Sequence, residues 1–83
     1  MVEPEAVVLI RAKQGKAYAI AKKIQALEPY CKKVCVVAGP YDIIALISAT
    51  DIPQLGGFIV DNIQTIDGVA QTLTLLNLFD APT

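Results

Sequence analysis

The sequence has no histidine and only two cysteines, Cys31 and Cys35, among its 83 residues. Two thiols without an imidazole cannot complete a tetrahedral zinc site unless carboxylates join them, so we expect no metal. Two cysteines are also too few for the disulfide framework of a small secreted domain, and the chain does not begin with a basic-then-apolar signal segment. We therefore expect free thiols in a reducing, cytoplasmic setting.

The residues that carry most enzyme chemistry are also missing. Without histidine there is no imidazole base, and the chain contains neither a Gly-x-Gly-x-x-Gly segment nor a phosphate-binding loop. We expect a protein that is not an enzyme and that holds no cofactor. No apolar run approaches the ~20 residues that a membrane-spanning helix needs, so we expect no membrane partner.

Basic residues are absent from the second half of the chain. All seven lie within the first 33 positions, the remainder carries only acidic charges, and the net charge is −1. An independent nucleic-acid-binding protein normally has a basic excess. We therefore expect no direct binding to DNA.

The chain is short but rich in apolar residues. We expect one domain, residues 1–83, and a domain of this size buries only roughly 60–65% of its unfolded surface, which leaves an isolated monomer marginal. With 54% hydrophobic and 18% charged residues, the composition is more apolar than that of an ordinary soluble domain. We expect the excess apolar surface to contact another copy of the chain.

Hydrophobic periodicity predicts four strands and two helices. Apolar β-branched runs predict the strands, and apolar residues that recur every three or four positions predict the helices. Gly39-Pro40-Tyr41-Asp42 is a cluster of turn formers that joins two strands into a hairpin. Thr50-Asp51 can cap the second helix and Asp67-Gly68 can end it. The predicted order is strand Ala6–Ala12, helix Lys16–Leu27, strands Val34–Ala38 and Ile43–Ala49, a helix from Ile52 to about Ile66, strand Val69–Phe79 and a tail Asp80–Thr83.

The order β-α-β-β-α-β predicts an α+β protein of the ferredoxin-like fold, in which two helices lie on one face of a four-stranded antiparallel sheet. If the other face of the sheet were open to water, apolar and polar residues should alternate along each strand. The strand segments AVVLI, VCVVA and IIALI are instead apolar at consecutive positions, and therefore on both faces. We predict that two copies pack sheet to sheet as a dimeric α/β barrel.

Three segments carry a resemblance to a known family: VLIRAKQGK, VVAGPYDIIALISATD and IDGVAQTLTLLNL. A Gly-x-x-Asp hairpin followed by a Gly-Val-x-x-Thr-x-Thr strand resembles the effector-binding domain of the Lrp/AsnC regulators, also called the RAM domain, over roughly residues 6 to 79. Typical members carry an N-terminal helix-turn-helix domain, and this chain resembles the stand-alone form. The resemblance implies a sheet-to-sheet homodimer, a higher assembly such as an octamer or ring, and a small effector, usually an amino acid, bound where dimers meet.

The hairpin supplies the first candidate ligand-binding residues. Asp42 is the only acid near the turn and could hold an ammonium group, and Gly39 allows a ligand to approach the main chain. These positions match the ligand-contacting hairpin of the family, and Tyr41 is the tyrosine best placed to join them. Alternatively, the ring of Tyr41 packs within the protein or lines an interface. Alternatively, Gly39–Asp42 is simply a good turn, and Pro40 removes one amide donor from it.

The last strand supplies two more candidates, Thr72 and Thr74. Residues two apart on a strand point to the same face, where two hydroxyls could hold a carboxylate, and the family places effector contacts nearby. Threonine is also simply a favoured strand residue. Gly56-Gly57 costs the second helix roughly 1 kcal/mol per glycine relative to alanine, so we expect a close approach of a ligand or a neighbouring dimer there.

The sequence favours an amino-acid-responsive regulatory module that modulates a partner enzyme or a DNA-binding relative. An ACT-like amino-acid sensor shares the strand order but would place sheets side by side. An oligomeric interaction scaffold without a ligand is a further alternative. Small oxygenases also use dimeric barrels, so the fold alone does not exclude catalysis.

Overall fold

The computed structural model describes residues 4–79, which form four strands and two helices. A π-helical segment directly continues the second helix. The elements are β1 (Glu5–Ala12), α1 (Ala17–Gln25), β2 (Cys31–Val36), β3 (Ile43–Ser48), α2 (Ile52–Phe58) with the π-helical segment Ile59–Ile63, and β4 (Val69–Leu76). No helix within residues 4–79 is long and apolar enough to cross a membrane.

The four strands form one antiparallel sheet in the order β2-β3-β1-β4. This order and the two helices confirm the predicted ferredoxin-like fold. The register places Ile10 of β1 between Ile43 of β3 and Thr72 of β4. Since paired residues of neighbouring strands point to the same face, this register assigns the paired strand residues to a face.

Several element bounds differ from those expected. β2 begins at Cys31 and ends at Val36, rather than spanning Val34–Ala38. The exposed lysines Lys32 and Lys33 lie inside this edge strand, because an edge tolerates charged side chains, and an apolar-run criterion therefore misses them. The helix α1 ends at Gln25 rather than Leu27, and β4 ends at Leu76 rather than Phe79. The predicted tail Asp80–Thr83 lies outside the described residues.

The core lies between the sheet and the two helices. Alternate residues of the central strands β1 and β3 point into it and are fully buried, and the helices add isoleucine and leucine side chains from their inner faces. The strand contribution is Ala6, Val8, Ile10, Ile43, Ala45 and Ile47, and the largest helical contribution is Ile20, Ile24, Leu55, Ile59 and Ile63. Burial of such side chains is the main favourable contribution to folding, at roughly 25 cal/mol per Å² of apolar surface.

The second helix begins where the sequence indicates. The carboxylate of Asp51 accepts a hydrogen bond from the Gln54 amide at 2.8 Å, which confirms the predicted cap. Beyond Phe58 the backbone widens, and the amide of Gln64 donates to the carbonyl of Ile59, five residues earlier, at 3.0 Å. Ile59, the first residue of this wider turn, is buried in the core.

The turn into β4 packs tightly against α1 through Gly68. Its φ of +96° is a conformation that side-chain-bearing residues rarely adopt. A Cβ atom at this position would lie 3.0 Å from Cβ of Lys16 and 3.3 Å from Cδ1 of Ile20. Glycine is therefore required here both by backbone conformation and by the approach of the helix.

The sheet face opposite the helices is open and apolar. Its two central strands contribute half-buried Val7, Leu9 and Leu46 together with Ile44, which is 37% exposed. On β4, Leu73 is 43% exposed and Leu75 is 49% exposed, and the register places both on this face. These six residues are called the open sheet face below. They match the expectation that the strands are apolar on both sides.

Replacing Gly68 with alanine should lower the free energy of unfolding by about 2 kcal/mol, because the new methyl group adds a steric clash to the cost of a positive φ. Urea denaturation monitored by circular dichroism measures the change. Gly15→Ala is the matched control, since Gly15 has a φ of +78° but no heavy atom within 4 Å of the added Cβ. Equal losses in the two variants would contradict a role for the contact with α1.

Candidate functional site

The hairpin between β2 and β3 is held closed and is also joined to β1. The amide of Val37 donates to the carbonyl of Asp42 at 2.8 Å, and the amide of Asp42 donates to the carbonyl of Ile10 at 2.9 Å. Gly39 is exposed and has a φ of +149°, which favours glycine. The loop conformation therefore accounts for Gly39 without any ligand, while its exposed backbone remains open to one.

The carboxylate of Asp42 has a structural role. Its Oδ2 atom accepts a hydrogen bond from the amide of Ala12 at 2.8 Å, in a partly buried position. The register between β1 and β4 shifts between Arg11 and Ala12, so this bond serves an amide at an irregular point of the ladder. Among residues 4–79, no group donates a hydrogen bond to the Oδ1 atom of Asp42.

Arg11 lies against the same hairpin, although the sequence reasoning counted it only among the basic residues. Its Nε donates to the carbonyl of Pro40 at 3.2 Å, and its guanidinium lies 5.4 Å from the centroid of the Tyr41 ring. Arg11 forms no ion pair with any acid in residues 4–79. A basic residue inside an otherwise apolar strand was the signal that could have identified it. Tyr41 is thus half-buried and packed beneath a cation.

Thr72 and Thr74 lie on the same face of β4, as their spacing predicts. Their partners on β1 are Ile10 and Val8, so both point to the helix side of the sheet. Thr72 is half-buried and its hydroxyl accepts a hydrogen bond from Nε2 of Gln64 at 3.3 Å, whereas Thr74 is exposed. β4 is an edge strand, which leaves this pair of hydroxyls at the margin of the chain.

One chain does not gather the five predicted ligand-binding residues into a single pocket. Thr72 and the start of β3 flank Ile10 on opposite sides, so Thr72 lies two strands from Asp42, roughly 10 Å away at the usual strand spacing. Thr74 lies further along β4. Two grooves, of about 540 and 280 Å³, are lined by other residues. The hairpin and the two threonines therefore form two separate groups of candidate residues, with β1 between them.

Gly56 and Gly57 do not meet any close neighbour within the described chain. Both are exposed, and a Cβ atom added to either would find no heavy atom within 4 Å. The expected close approach is therefore not made by residues 4–79, because this side of α2 faces away from the sheet.

The two cysteines are free thiols, as expected. Cys31 pairs with Ile47 and Cys35 with Ile44, so the two side chains point to opposite faces of the sheet. Burial raises the pKa of the Cys31 thiol above its ordinary value, a hydrogen bond with the backbone of Lys33 opposes the rise, and the negative charge of Glu28 adds to it. Within residues 4–79 no three potential metal ligands cluster.

Comparison with known proteins gives one family and several similar folds. The model of the Lrp/AsnC ligand binding domain matches residues 5–78. TTHA0845 from Thermus thermophilus is 34% identical, covers 96% of this chain and 99% of its own, and superposes with a TM-score of 0.89. The hypothetical protein PHS023 from Pyrococcus horikoshii is 26% identical over 93% of this chain and 92% of its own, with a TM-score of 0.85.

A more distant similarity involves a longer regulator. The transcriptional regulator NMB0573 of Neisseria meningitidis, solved as a complex with L-Met, is 16% identical with a TM-score of 0.83, and at that identity it shows the fold alone. The match covers 96% of this chain and 53% of the regulator. A search of curated proteins finds no match.

The thiol of Cys31 should react more slowly with iodoacetamide than an ordinary cysteine at neutral pH, because its raised pKa reduces the thiolate fraction. Glu28→Gln removes the negative charge, lowers that pKa and should increase the alkylation rate at constant pH. Rates are measured by mass spectrometry in a Cys35→Ser background. Asp67→Asn is the control for loss of a carboxylate. A Glu28→Gln rate equal to that of the control would contradict the charge effect.

Proposed function

The chain belongs to the family of Lrp/AsnC ligand-binding domains, and from this premise we propose that it senses an amino acid and transmits its binding through a change of assembly. The observation that carries the proposal is the pair of complementary charges beside one hairpin. Asp42 keeps one carboxylate oxygen without a donor, and Arg11 keeps a guanidinium without an acid, among residues 4–79. An α-amino acid carries the two opposite charges that such groups recognise.

The ligand would lie at the hairpin, with further contacts from another chain. Asp42 would hold the ammonium group, the exposed backbone at Gly39 would allow close approach, and Tyr41 would line the site. The hydroxyls of Thr72 and Thr74 would come from a neighbouring dimer, because within one chain they lie too far from the hairpin to share a small ligand. The L-Met complex of the Neisseria regulator supports an amino acid as the ligand class.

The open sheet face supports a homodimer. An apolar surface that spans three strands is costly to expose to water, and a second copy with the same face buries both at once. Two such sheets packed face to face would form the dimeric α/β barrel expected from the sequence. Dimers would then join into a ring or an octamer, which brings hairpins and threonines of different chains together.

Effector binding would act on a partner rather than on a substrate. Ligand bound between dimers favours the assembly that forms the site, and this preference is the coupling energy that a regulator needs. The partner would be an enzyme or a DNA-binding relative in the cytoplasm, without direct DNA contact by this chain. Family membership supports such a regulatory role over catalysis.

Two other functions make different demands on the same surfaces. An ACT-like sensor would join sheets edge to edge and leave the open sheet face exposed, whereas the apolar character of that face favours face-to-face packing. A scaffold without a ligand would need the oligomer but not the charges of Arg11 and Asp42. The two tests below therefore separate assembly from ligand binding.

Ile44→Glu should convert the dimer to a monomer, because it places a charge within the proposed sheet-to-sheet contact. Light scattering coupled to size-exclusion chromatography gives the mass. The matched control is Val36→Glu, since Val36 is 51% exposed but its partner Ile43 places it on the helix side of the sheet. A dimer that survives Ile44→Glu, or that is lost equally in both variants, would contradict the face-to-face arrangement.

Thermal unfolding with each of the twenty amino acids should identify a selective ligand. A ligand at about 100 times its Kd raises the free energy of unfolding by about 2.7 kcal/mol. Asp42→Asn should abolish this stabilisation, because the ammonium loses its counter-charge, while an amide oxygen can still accept from the Ala12 amide.

Asp42→Ala serves as the structural comparison. It removes both functions of the side chain, so the protein without ligand should lose about 1–2 kcal/mol of stability, while Asp42→Asn should retain most of it. Unchanged amino-acid affinity in Asp42→Asn would remove Asp42 from the site. The absence of any ligand from a stable oligomer would favour the scaffold.

A further inference from the structure

A groove of about 540 Å³ lies between the C-terminal end of α1 and the helix α2. Its lining includes Leu27, Glu28, Tyr30, Gln54, Phe58 and Asp61, and it is called the helix groove below. It lies at the end of the sheet where β2 begins and β3 ends, and therefore opposite the Gly39–Asp42 hairpin. Its volume falls in the range of roughly 300–1,000 Å³ that is typical of small-molecule sites.

The floor of the helix groove is aromatic and already ordered. The rings of Tyr30 and Phe58 are in contact, with centroids 4.6 Å apart and an angle of 32° between their planes. Nε2 of Gln54 lies 3.4 Å from the Tyr30 hydroxyl, which it contacts as a donor. Both rings also pack against the buried core. A bound carbon chain would thus meet an apolar surface of two tilted rings that are already in place.

The charges that line the helix groove are both negative. The acids are Glu28 on the α1 side and Asp61 on the α2 side, and neither forms an ion pair with any residue in 4–79. No lysine or arginine among the described residues lines the groove. Lys32 and Lys33 line the smaller 280 Å³ depression on the other side of Glu28. The helix groove therefore offers a negative field to any molecule that enters it.

Gly57 contributes space to the same groove. It is part of the lining, and an added Cβ would have no heavy atom within 4 Å, so packing within the chain does not require glycine there. Its φ is not among the positive values, so backbone conformation does not require glycine either. The absence of a side chain at Gly57 leaves the α2 side of the groove open.

We propose that the helix groove binds a small organic cation, with a primary ammonium or guanidinium group between Glu28 and Asp61 and its carbon stem on the rings of Tyr30 and Phe58. Carboxylates on both sides complement the charge, and the aromatic faces add a cation–π attraction. The site is separate from the hairpin proposed for the amino-acid effector, so either site can fail without the other.

The test uses the intact oligomer and three probes at low ionic strength: agmatine, 1,5-diaminopentane and the neutral 1,5-pentanediol. Calorimetry gives affinities, and amide chemical shifts give the location. The two cations should bind and shift the signals of Tyr30, Gln54 and Phe58, and pentanediol should not bind. Glu28 and Asp61 are exposed, so Glu28→Gln and Asp61→Asn should each weaken cation binding about two- to fivefold, the size expected for an exposed ion pair.

Steric variants provide an independent arm. Gly57→Leu should fill the helix groove and weaken binding of both cations more than tenfold. Gly56→Leu is the matched control, because Gly56 has the same helical environment but does not line the groove, and its affinity should equal that of the parent. Asp67→Asn controls for the general loss of one negative charge and should also leave affinity unchanged.

Three results would overturn the inference. One is equal binding of pentanediol and diaminopentane, and another is an equal loss of affinity in Asp67→Asn and Asp61→Asn. The third is cation binding that disappears in Asp42→Asn but persists in Gly57→Leu, which would place the cation at the hairpin. That last result would not contradict the proposed amino-acid site at the hairpin. Conversely, a titration in which no amino acid binds would not contradict cation binding in the helix groove.

Discussion

The pairing of β1 on both of its edges is the constraint on which the rest of the structure depends. Its register with β3 and β4 positions both neighbours, and it supplies residues to two separate apolar layers. Ala6, Val8 and Ile10 are fully buried under the helices, while Val7 and Leu9 lie on the open sheet face. One strand thus holds the core of the chain and the proposed contact with a second copy.

The end of β1 couples the fold to the candidate site. The pairing of β1 with β4 shifts register beside Ala12. There the carboxylate of Asp42 accepts a hydrogen bond from the backbone amide of Ala12. The same carboxylate retains an oxygen for a ligand, and Arg11 holds the other side of the loop through Pro40. Structural and binding roles therefore overlap at the hairpin, which explains why turn chemistry and ligand chemistry suggest the same residues.

Local pattern sufficed for most of the fold. Apolar β-branched runs identify the strands and the helical period identifies the helices, and the Asp51 cap lies where a short acidic side chain before proline indicates it. The pattern failed at Lys32 and Lys33, because charged residues on an edge strand resemble a loop. For the site, Gly39, Tyr41 and Asp42 are adjacent in sequence and could be proposed together. Arg11 is conspicuous as a basic residue in an apolar strand, but the sequence does not show which loop it contacts, because Pro40 lies 29 residues away.

By itself, the sequence determined the order of elements and the two apolar faces of the strands, since these follow from residue type and local spacing. Only the tertiary structure decided which groups meet. It occupied one oxygen of Asp42, placed β1 between Thr72 and the hairpin, and placed Glu28 and Asp61 on one groove. Such contacts join distant parts of the chain, and their geometry depends on strand register and helix packing, which no local pattern encodes.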